Sequence, residues 1–186
     1  MIEVEIKIRT DLDSAGQKLT DIGFVKDKFI KESDTYYDNA AGDIRGNDTA
    51  LRIRTIEYPD LGTSESYITF KGRRCDDVSM TRPEYESLIE GPDEMKMILK
   101  ALGYGPVEPA VIKERTLYVK GSVSACLDRV LGLGDFLELE IMSESESKDD
   151  ALNRLWEMLE LLGYNREDTV TVSYLTMLQR NLQNIT

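Results

Sequence analysis

Hydrophobic and charged residues alternate strictly at the start of the chain, a pattern that predicts a β-strand. In Glu3-Val-Glu-Ile-Lys7 the charged side chains fall on one face of the strand. Ile2, Val4, Ile6 and Ile8 fall on the opposite face. The apolar face indicates packing against a core, so the charged face needs a separate explanation.

The same Glu-x-Glu spacing occurs twice more, at Glu84 with Glu86 and at Glu138 with Glu140. Carboxylates at positions i and i+2 of a strand share a face and lie close enough together to bind one hard cation. The intervening strands carry basic residues on alternating positions, namely Arg52, Arg54, Lys71, Lys113 and Arg115.

Each Glu-x-Glu strand is followed by an apolar stripe at helical spacing and then by Gly and an aromatic residue, the usual sign of a helix end. The three predicted helices run from Asp11 or Asp13 to Gly23, from Pro92 to Gly103, and from about Lys148 to Gly163. This repeated unit suggests pseudo-symmetric β-α-β lobes. The polar stretches 38–48, 57–66 and 72–82 predict hairpin connections or mobile lids.

Two arrangements of such strands are open. An open sheet would turn the charged faces to water, whereas a closed sheet would turn them inward around a polar lumen. The three apolar-striped helices need an apolar surface, which the outer faces of a closed sheet supply. We therefore expect an α+β fold: an antiparallel, eight-stranded closed β-barrel or tunnel with a charged lumen and helices packed outside.

The amino-acid composition excludes several classes of function. The 186 residues are 41% hydrophobic and 31% charged, with no apolar run long enough to span a bilayer. The net charge of −12 argues against nucleic-acid binding, and the absence of histidine excludes His-ligated zinc and His-based acid–base catalysis. Because the chain enters a strand at once, we expect no signal peptide and a cytoplasmic location, with Cys75 and Cys126 as reduced thiols.

A lumen that carries both carboxylates and bases suits a polyphosphate anion. The acids hold Mg²⁺ or Mn²⁺ best when phosphate oxygens complete the coordination, and Arg and Lys neutralise the remaining charge. A barrel interior held only by structural ion pairs is the plainer alternative. It is disfavoured because desolvation of so many charges offsets the Coulomb gain.

Ordered motifs cover essentially the whole chain, at residues 3–7, 51–54, 70–72, 82–86, 113–115, 127–128, 136–140 and 173–174. In this order they resemble the CYTH superfamily, the triphosphate tunnel metalloenzymes, and most closely its class IV (CyaB-type) adenylate cyclases. The resemblance implies a single CYTH-like domain over residues 1–186 and a homodimer. One departure is Gly-Arg-Arg after Lys71, where many cyclase-like members have Gly-Pro.

The resemblance also implies roles for individual residues. The implied metal ligands are Glu3, Glu5, Asp128, Glu138 and Glu140. The implied triphosphate-binding residues are Lys7, Arg52, Arg54, Lys71, Lys113 and Arg115. The expected catalytic residues are Glu3, Glu5, Lys7, Lys71 and Arg115. Glu84 and Glu86 match a family acid pair to which no role is assigned.

Three functions follow as expectations, in this order. The first is cyclisation of ATP to cyclic AMP and pyrophosphate, with Mg²⁺ or Mn²⁺ as cofactor. The second is hydrolysis of thiamine triphosphate or inorganic tripolyphosphate at the same kind of site. The third is non-catalytic binding of a nucleotide or polyphosphate, which the full set of acids disfavours because phosphate binding alone needs only the bases.

Overall fold

Eight β-strands form the body of the molecule in a computed structural model that describes residues 2–143 and 148–183. The strands are β1 Ile2–Arg9, β2 Val25–Asn39, β3 Ala50–Tyr58, β4 Thr63–Lys71, β5 Arg82–Ile89, β6 Tyr104–Lys120, β7 Val123–Val130 and β8 Gly134–Ser143. The helices are α1 Leu12–Asp21, α2 Asp43–Gly46, α3 Pro92–Ala101, α4 Lys148–Leu161 and α5 Tyr174–Gln183, with a 3₁₀ turn at Arg166–Asp168.

The strands close into an antiparallel barrel in the order β1-β5-β4-β3-β2-β6-β7-β8. β1 pairs with β8 along its whole length but with β5 only where Ile2 faces Pro83 and Glu3 faces Arg82. Two irregular segments fill the rest of this seam. The N–H of Met80 donates to the carbonyl of Glu5 at 3.0 Å, and the N–H of Val170 donates to that of Lys7 at 2.7 Å. The predicted closed barrel is confirmed.

The apolar faces of the strands point outward and carry the main core. Leu19 of α1 and Leu155 and Leu159 of α4 pack against the outer faces of β1, β7 and β8, together with Val4 and Leu139. Each of these five side chains is at most 1% exposed. Because this packing uses the outside of the barrel, the charged faces of the same strands are left for the lumen.

The three predicted helices are present with the predicted ends. The side chain of Asp11 accepts a 2.8 Å hydrogen bond from the N–H of Ser14, which makes Asp11 the cap of α1. Gly23, Gly103 and Gly163 follow helices α1, α3 and α4 with φ of 91°, 89° and 77°, left-handed values that glycine adopts without strain.

Two helices were not predicted. The stretch 38–48, expected as a loop, contains α2, whose N–H groups at Ile44 and Arg45 donate to the Asp38 carboxylate at 2.9 and 3.1 Å. The closing segment forms α5, which buries Tyr174 and Leu178. The stretch 57–66 is a hairpin between β3 and β4, as expected. Among the described residues, none of the helices combines the length and apolarity needed to cross a membrane.

Candidate metal and phosphate site

The barrel encloses a cavity of about 430 Å³ whose walls are mostly charged. Ten of the eleven predicted metal- and phosphate-binding residues line it: Glu3, Glu5, Lys7, Arg52, Arg54, Lys71, Lys113, Arg115, Glu138 and Glu140. Glu84 and Glu86 line it as well. The eleventh, Asp128, is fully buried in the wall behind them. Strand alternation therefore brings the predicted residues together in one lumen.

Glu3, Glu5 and Glu140 form a carboxylate cluster in which one oxygen from each side chain lies within 4.8 Å of the others. β1 and β8 produce it directly, because Glu5 and Glu140 are cross-strand partners and Glu3 is two residues away on the same face. Burial raises the pKa of Glu140 to about 8, and the neighbouring Glu3, Glu138 and Glu5 add to the shift. Burial and Glu138 likewise raise the pKa of Glu5.

This cluster fits a divalent cation of the Mg²⁺ or Mn²⁺ type. The donors are all carboxylate oxygens, which are the preferred ligands of hard cations. Burial is the main cause of the raised pKa values of Glu5 and Glu140, and the charge of Glu3 adds to both shifts. A bound cation would favour the ionised carboxylates and so offset these effects. Among the described residues, no other group of three acids or cysteines has this arrangement.

Lys7 stands beside the cluster and links it to the basic part of the lumen. Its Nζ lies 3.0 Å from Glu138 Oε1 and 3.3 Å from Glu5 Oε1. The ammonium also sits over the ring of Tyr174, 4.2 Å from the ring centroid. Burial would lower the pKa of Lys7, but Glu138 and Glu5 outweigh it and raise that pKa, so the side chain stays charged.

Arg115 is held at two points by Asp128. Its Nε and Nη2 donate to Oδ1 and Oδ2 at 2.6 and 2.7 Å, and Nη2 also contacts Glu138. The Tyr174 hydroxyl donates to Asp128 Oδ2 at 3.1 Å. The structure thus places Asp128 and Glu138 against basic side chains and outside the three-carboxylate cluster. Their role as metal ligands stays a prediction.

Lys71 of β4 and Arg52 of β3 line the neighbouring part of the lumen. Lys71 Nζ lies 2.5 Å from Glu3 Oε2 and 2.9 Å from Glu84 Oε2. Arg52 lies 3.4 Å from Asp34 and 3.8 Å from both Glu84 and Glu86. The acid pair of β5 therefore neutralises the bases of β3 and β4.

Two lumen acids, Glu32 and Asp34 of β2, were missed by the sequence reasoning. Arg54 donates to both Asp34 oxygens at 2.6 and 2.7 Å, and Lys113 lies 3.0 Å from Glu32. Burial would raise the pKa of Glu32, but Arg54 and Lys113 outweigh it and lower that pKa to about 2. Arg54 and Arg52 likewise lower the pKa of Asp34 against the effect of burial. The i, i+2 spacing of Glu32 and Asp34 was the one feature of the sequence that could have identified them as a further acid pair.

Tyr174 and Arg82 also line the lumen, although the sequence identified them only as members of motifs and predicted no role for them. Tyr174 faces Lys7 and Asp128 from α5, and its ring packs edge-on against Phe136 with centroids 4.9 Å apart. Arg82 opens β5 and lines the cavity. Arg82 stands two residues before Glu84, so alternation along β5 does place it on the face of the acid pair. Tyr174 begins a helix, where strand alternation gives no signal.

Comparison with known proteins identifies close relatives of the whole chain. A Methanocaldococcus jannaschii protein, named only provisionally as an adenylate cyclase, is 37% identical over 182 residues, covering 95% of this chain and 98% of that protein. The adenylate cyclase CyaB of Aeromonas hydrophila is 29% identical over 97% of this chain and 90% of its own length.

Solved structures share the fold. The PH1819 protein of Pyrococcus horikoshii superposes with a TM-score of 0.86 at 32% identity, covering 96% of this chain and 99% of that one. A Hippeastrum protein, titled as a provisional adenylyl cyclase with a dominant triphosphatase activity, has a TM-score of 0.67 at 19% identity, with 97% and 95% coverage. That second likeness concerns the fold alone. The CYTH domain model matches residues 1–174, and the chain therefore belongs to the CYTH family.

Proposed function

We propose that this protein is a metal-dependent enzyme that acts on the triphosphate of a small molecule inside the tunnel, as an adenylate cyclase that converts ATP to cyclic AMP and pyrophosphate. The observation that carries the proposal is the cluster of Glu3, Glu5 and Glu140 beside buried, charged Lys7 and Arg115 in one cavity. The names of the two relatives that cover nearly the whole chain support the choice of cyclase.

Glu3, Glu5 and Glu140 would hold Mg²⁺ or Mn²⁺. The three carboxylates of the cluster would repel phosphates that approached them without a cation. A cation bound at the cluster would supply the positive charge that neutralises phosphate oxygens and the leaving group. Each acid of the cluster lies near a different base, Lys71 for Glu3, Lys7 for Glu5 and Arg115 for Glu140. Structural ion pairing alone would not require the three carboxylates to approach one another within 4.8 Å.

The basic side chains would bind and orient the phosphates. Lys7, Lys113 and Arg115 are each at most 6% exposed and line the cavity. Arg115 can present its planar donors to a phosphate in place of a carboxylate, and Lys7 and Lys113 act as point charges. In a lumen this enclosed, fixed charges stabilise developing charge more than they would in water.

Cyclisation needs little covalent chemistry from the protein. The 3′-oxygen of ATP forms a bond to the α-phosphorus, the bond from that phosphorus to the bridging oxygen breaks, the hydroxyl proton passes to solvent, and pyrophosphate leaves. Catalysis then consists of positioning and electrostatic stabilisation. The tunnel walls perform both if the α-phosphorus lies near the carboxylate cluster.

Triphosphate hydrolysis is the second candidate, because the same residues would serve it if the terminal phosphorus faced water. The dominant triphosphatase activity named for the Hippeastrum protein of the same fold favours its inclusion. Hydrolysis would release orthophosphate, which separates the two reactions experimentally. A non-catalytic polyphosphate binder, the third candidate, is disfavoured by the retained carboxylate cluster.

A substrate panel tests the proposal. ATP, thiamine triphosphate and tripolyphosphate are each incubated with Mg²⁺ or Mn²⁺, and cyclic AMP, pyrophosphate and orthophosphate are measured. Cyclic AMP with equimolar pyrophosphate is the expected result. Orthophosphate as the only product would contradict the cyclase and favour the triphosphatase. Binding of the substrates without turnover would favour the non-catalytic binder.

Two variants control for contaminating enzymes. Glu5→Gln removes a cluster carboxylate and should abolish turnover. Glu114→Gln alters a half-exposed acid on β6, paired with Lys31 outside the lumen, and should retain it. Activity that persists in the Glu5→Gln preparation would show that the product came from another protein.

We further propose that residues 1–186 form one CYTH-like domain, and that the protein is cytoplasmic and forms a homodimer, as the family resemblance implies. Sedimentation equilibrium tests the oligomeric state: the 21.1 kDa chain should sediment at twice that mass.

A further inference from the structure

Arg82 differs from the other basic residues of the tunnel. Six of the other bases that line the cavity, Lys7, Arg52, Arg54, Lys71, Lys113 and Arg115, each have a carboxylate oxygen within 4.0 Å. The seventh, Arg45, is exposed to solvent and donates to the Gln179 side chain at 2.7 Å. Arg82 is only 7% exposed and lines the same cavity, yet within residues 2–143 and 148–183 no carboxylate lies within 4.0 Å of it. Its hydrogen bond there is a long one, from Nη1 to the Gly72 carbonyl at 3.4 Å.

The acids nearest to Arg82 are engaged with other bases. Glu3 is its cross-strand partner, but the Glu3 carboxylate lies 2.5 Å from Lys71 Nζ. Asp48 also lines the cavity and influences Arg82 electrostatically, but its two oxygens accept from Arg74 Nε at 3.1 Å. Arg82 is therefore a buried cation whose neighbouring acids are already neutralised, an arrangement that is costly unless an anion completes it.

The position of Arg82 in the barrel indicates which kind of anion would bind to it. β5, which carries Arg82, and β6, which carries Lys113 and Arg115, are four strands apart in the ring of eight and so lie on opposite walls. Arg82 also adjoins the carboxylate cluster through Glu3. A ligand that contacts Arg82 and the β6 bases together must span the lumen, which suits a chain of phosphates better than a single one.

We propose that Arg82 is a further substrate-binding residue, which donates to a phosphate oxygen of the triphosphate at the end of the tunnel next to Glu3. This inference rests on the proposed function. Binding at the six bases that have a carboxylate partner exchanges a carboxylate for a phosphate, whereas binding at Arg82 breaks no ion pair. Its full interaction with the anion therefore contributes to affinity.

Isothermal titration with inorganic tripolyphosphate, in EDTA and without divalent metal, tests this inference apart from catalysis. Arg82→Met should weaken tripolyphosphate binding by about 10- to 100-fold, the range expected for loss of a charged hydrogen bond. The matched control is Arg73→Met, which removes the same charge from an exposed residue nearby that does not line the cavity. It should change the affinity by less than about twofold at physiological ionic strength, because solvent screens the lost charge.

Arg82→Gln gives the same comparison if the Met variant fails to fold, since an amide can still donate to the Gly72 carbonyl. Wild-type affinity in a folded Arg82 variant would overturn this inference and leave the proposed function standing. So would an equal loss in the Arg73 variant, since net charge would then explain the effect. If the wild type binds tripolyphosphate only with Mg²⁺, the same comparison of variants is made with Mg²⁺ present. A wild-type protein that binds no tripolyphosphate either in EDTA or with Mg²⁺ would overturn the proposed function and this inference together.

Discussion

Arg115 and Asp128 form a two-point ion pair in the wall of the tunnel, with 2.6 and 2.7 Å between the bonded atoms and with Asp128 fully buried. Asp128 also accepts from Tyr174, so one carboxylate fixes a base of the lumen and a residue of α5. From its position behind the cavity wall, Asp128 therefore orients Arg115.

Asp128→Asn should therefore destabilise the fold. Asp128 neutralises Lys113, at 3.4 Å, as well as Arg115, and removing one partner from such a buried ion-pair network costs about 3–5 kcal/mol. The free energy of unfolding in urea measures the loss. The matched control is Asp135→Asn, because Asp135 forms the same kind of two-point pair with Arg129 on the exposed side of β7 and β8. Solvent screens that pair, so its loss should leave the unfolding free energy nearly unchanged. Equal effects of the two variants would contradict the account.

Low pH should lower the free energy of unfolding, because Glu32 becomes protonated. Its pKa is about 2 in the folded protein and 4.5 ordinarily, so the ionised form is favoured by folding. The resulting stability is present above pH 4.5 and is lost as the pH falls from 4.5 towards 2. Urea unfolding at several pH values should show a shallower decline over this range in Glu32→Gln than in the wild type. The exposed Glu57, changed to Gln, should leave the decline unaltered. Identical pH profiles for the wild type and Glu32→Gln would refute this assignment.

The core outside the barrel should depend on α4. Leu155 has no exposed surface, so Leu155→Ala opens a cavity between α4 and the outer face of the sheet and should cost about 2–5 kcal/mol. Leu161 lies on the same helix and is 63% exposed, so Leu161→Ala should change stability by at most about 0.5 kcal/mol. Urea unfolding compares the two; a small effect at Leu155 would mean that the helix does not pack as described.

Strict alternation made much of the fold and the lumen predictable. Where a strand is regular, as at Glu3, Glu5 and Lys7, the side-chain period of two assigns the inner face directly. Glu32 and Asp34 were missed because this part of β2 is polar on both faces: Lys31, Ser33 and Thr35 alternate with them. Alternation alone therefore does not show which face of β2 turns inward.

Other features depend on contacts that sequence spacing does not show. α2 has four residues, too few for an apolar period, and its start is fixed by the side chain of Asp38 outside the helix. The difference between Glu140 and Glu138 is likewise tertiary. Both belong to one Glu-x-Glu motif, yet Glu138 contacts Lys7 and Arg115 whereas Glu140 joins the carboxylate cluster.

Direct binding of Mn²⁺, followed by electron paramagnetic resonance of the free ion, tests the central claim that Glu3, Glu5 and Glu140 form a metal site. Glu140→Gln should weaken Mn²⁺ binding by about tenfold or more, as loss of a ligand should cost at least as much as loss of an outer-shell partner. Glu86→Gln removes a carboxylate from the same cavity but outside the cluster, and it should bind Mn²⁺ like the wild type. Unchanged Mn²⁺ affinity in Glu140→Gln, or an equal loss in Glu86→Gln, would contradict the claim.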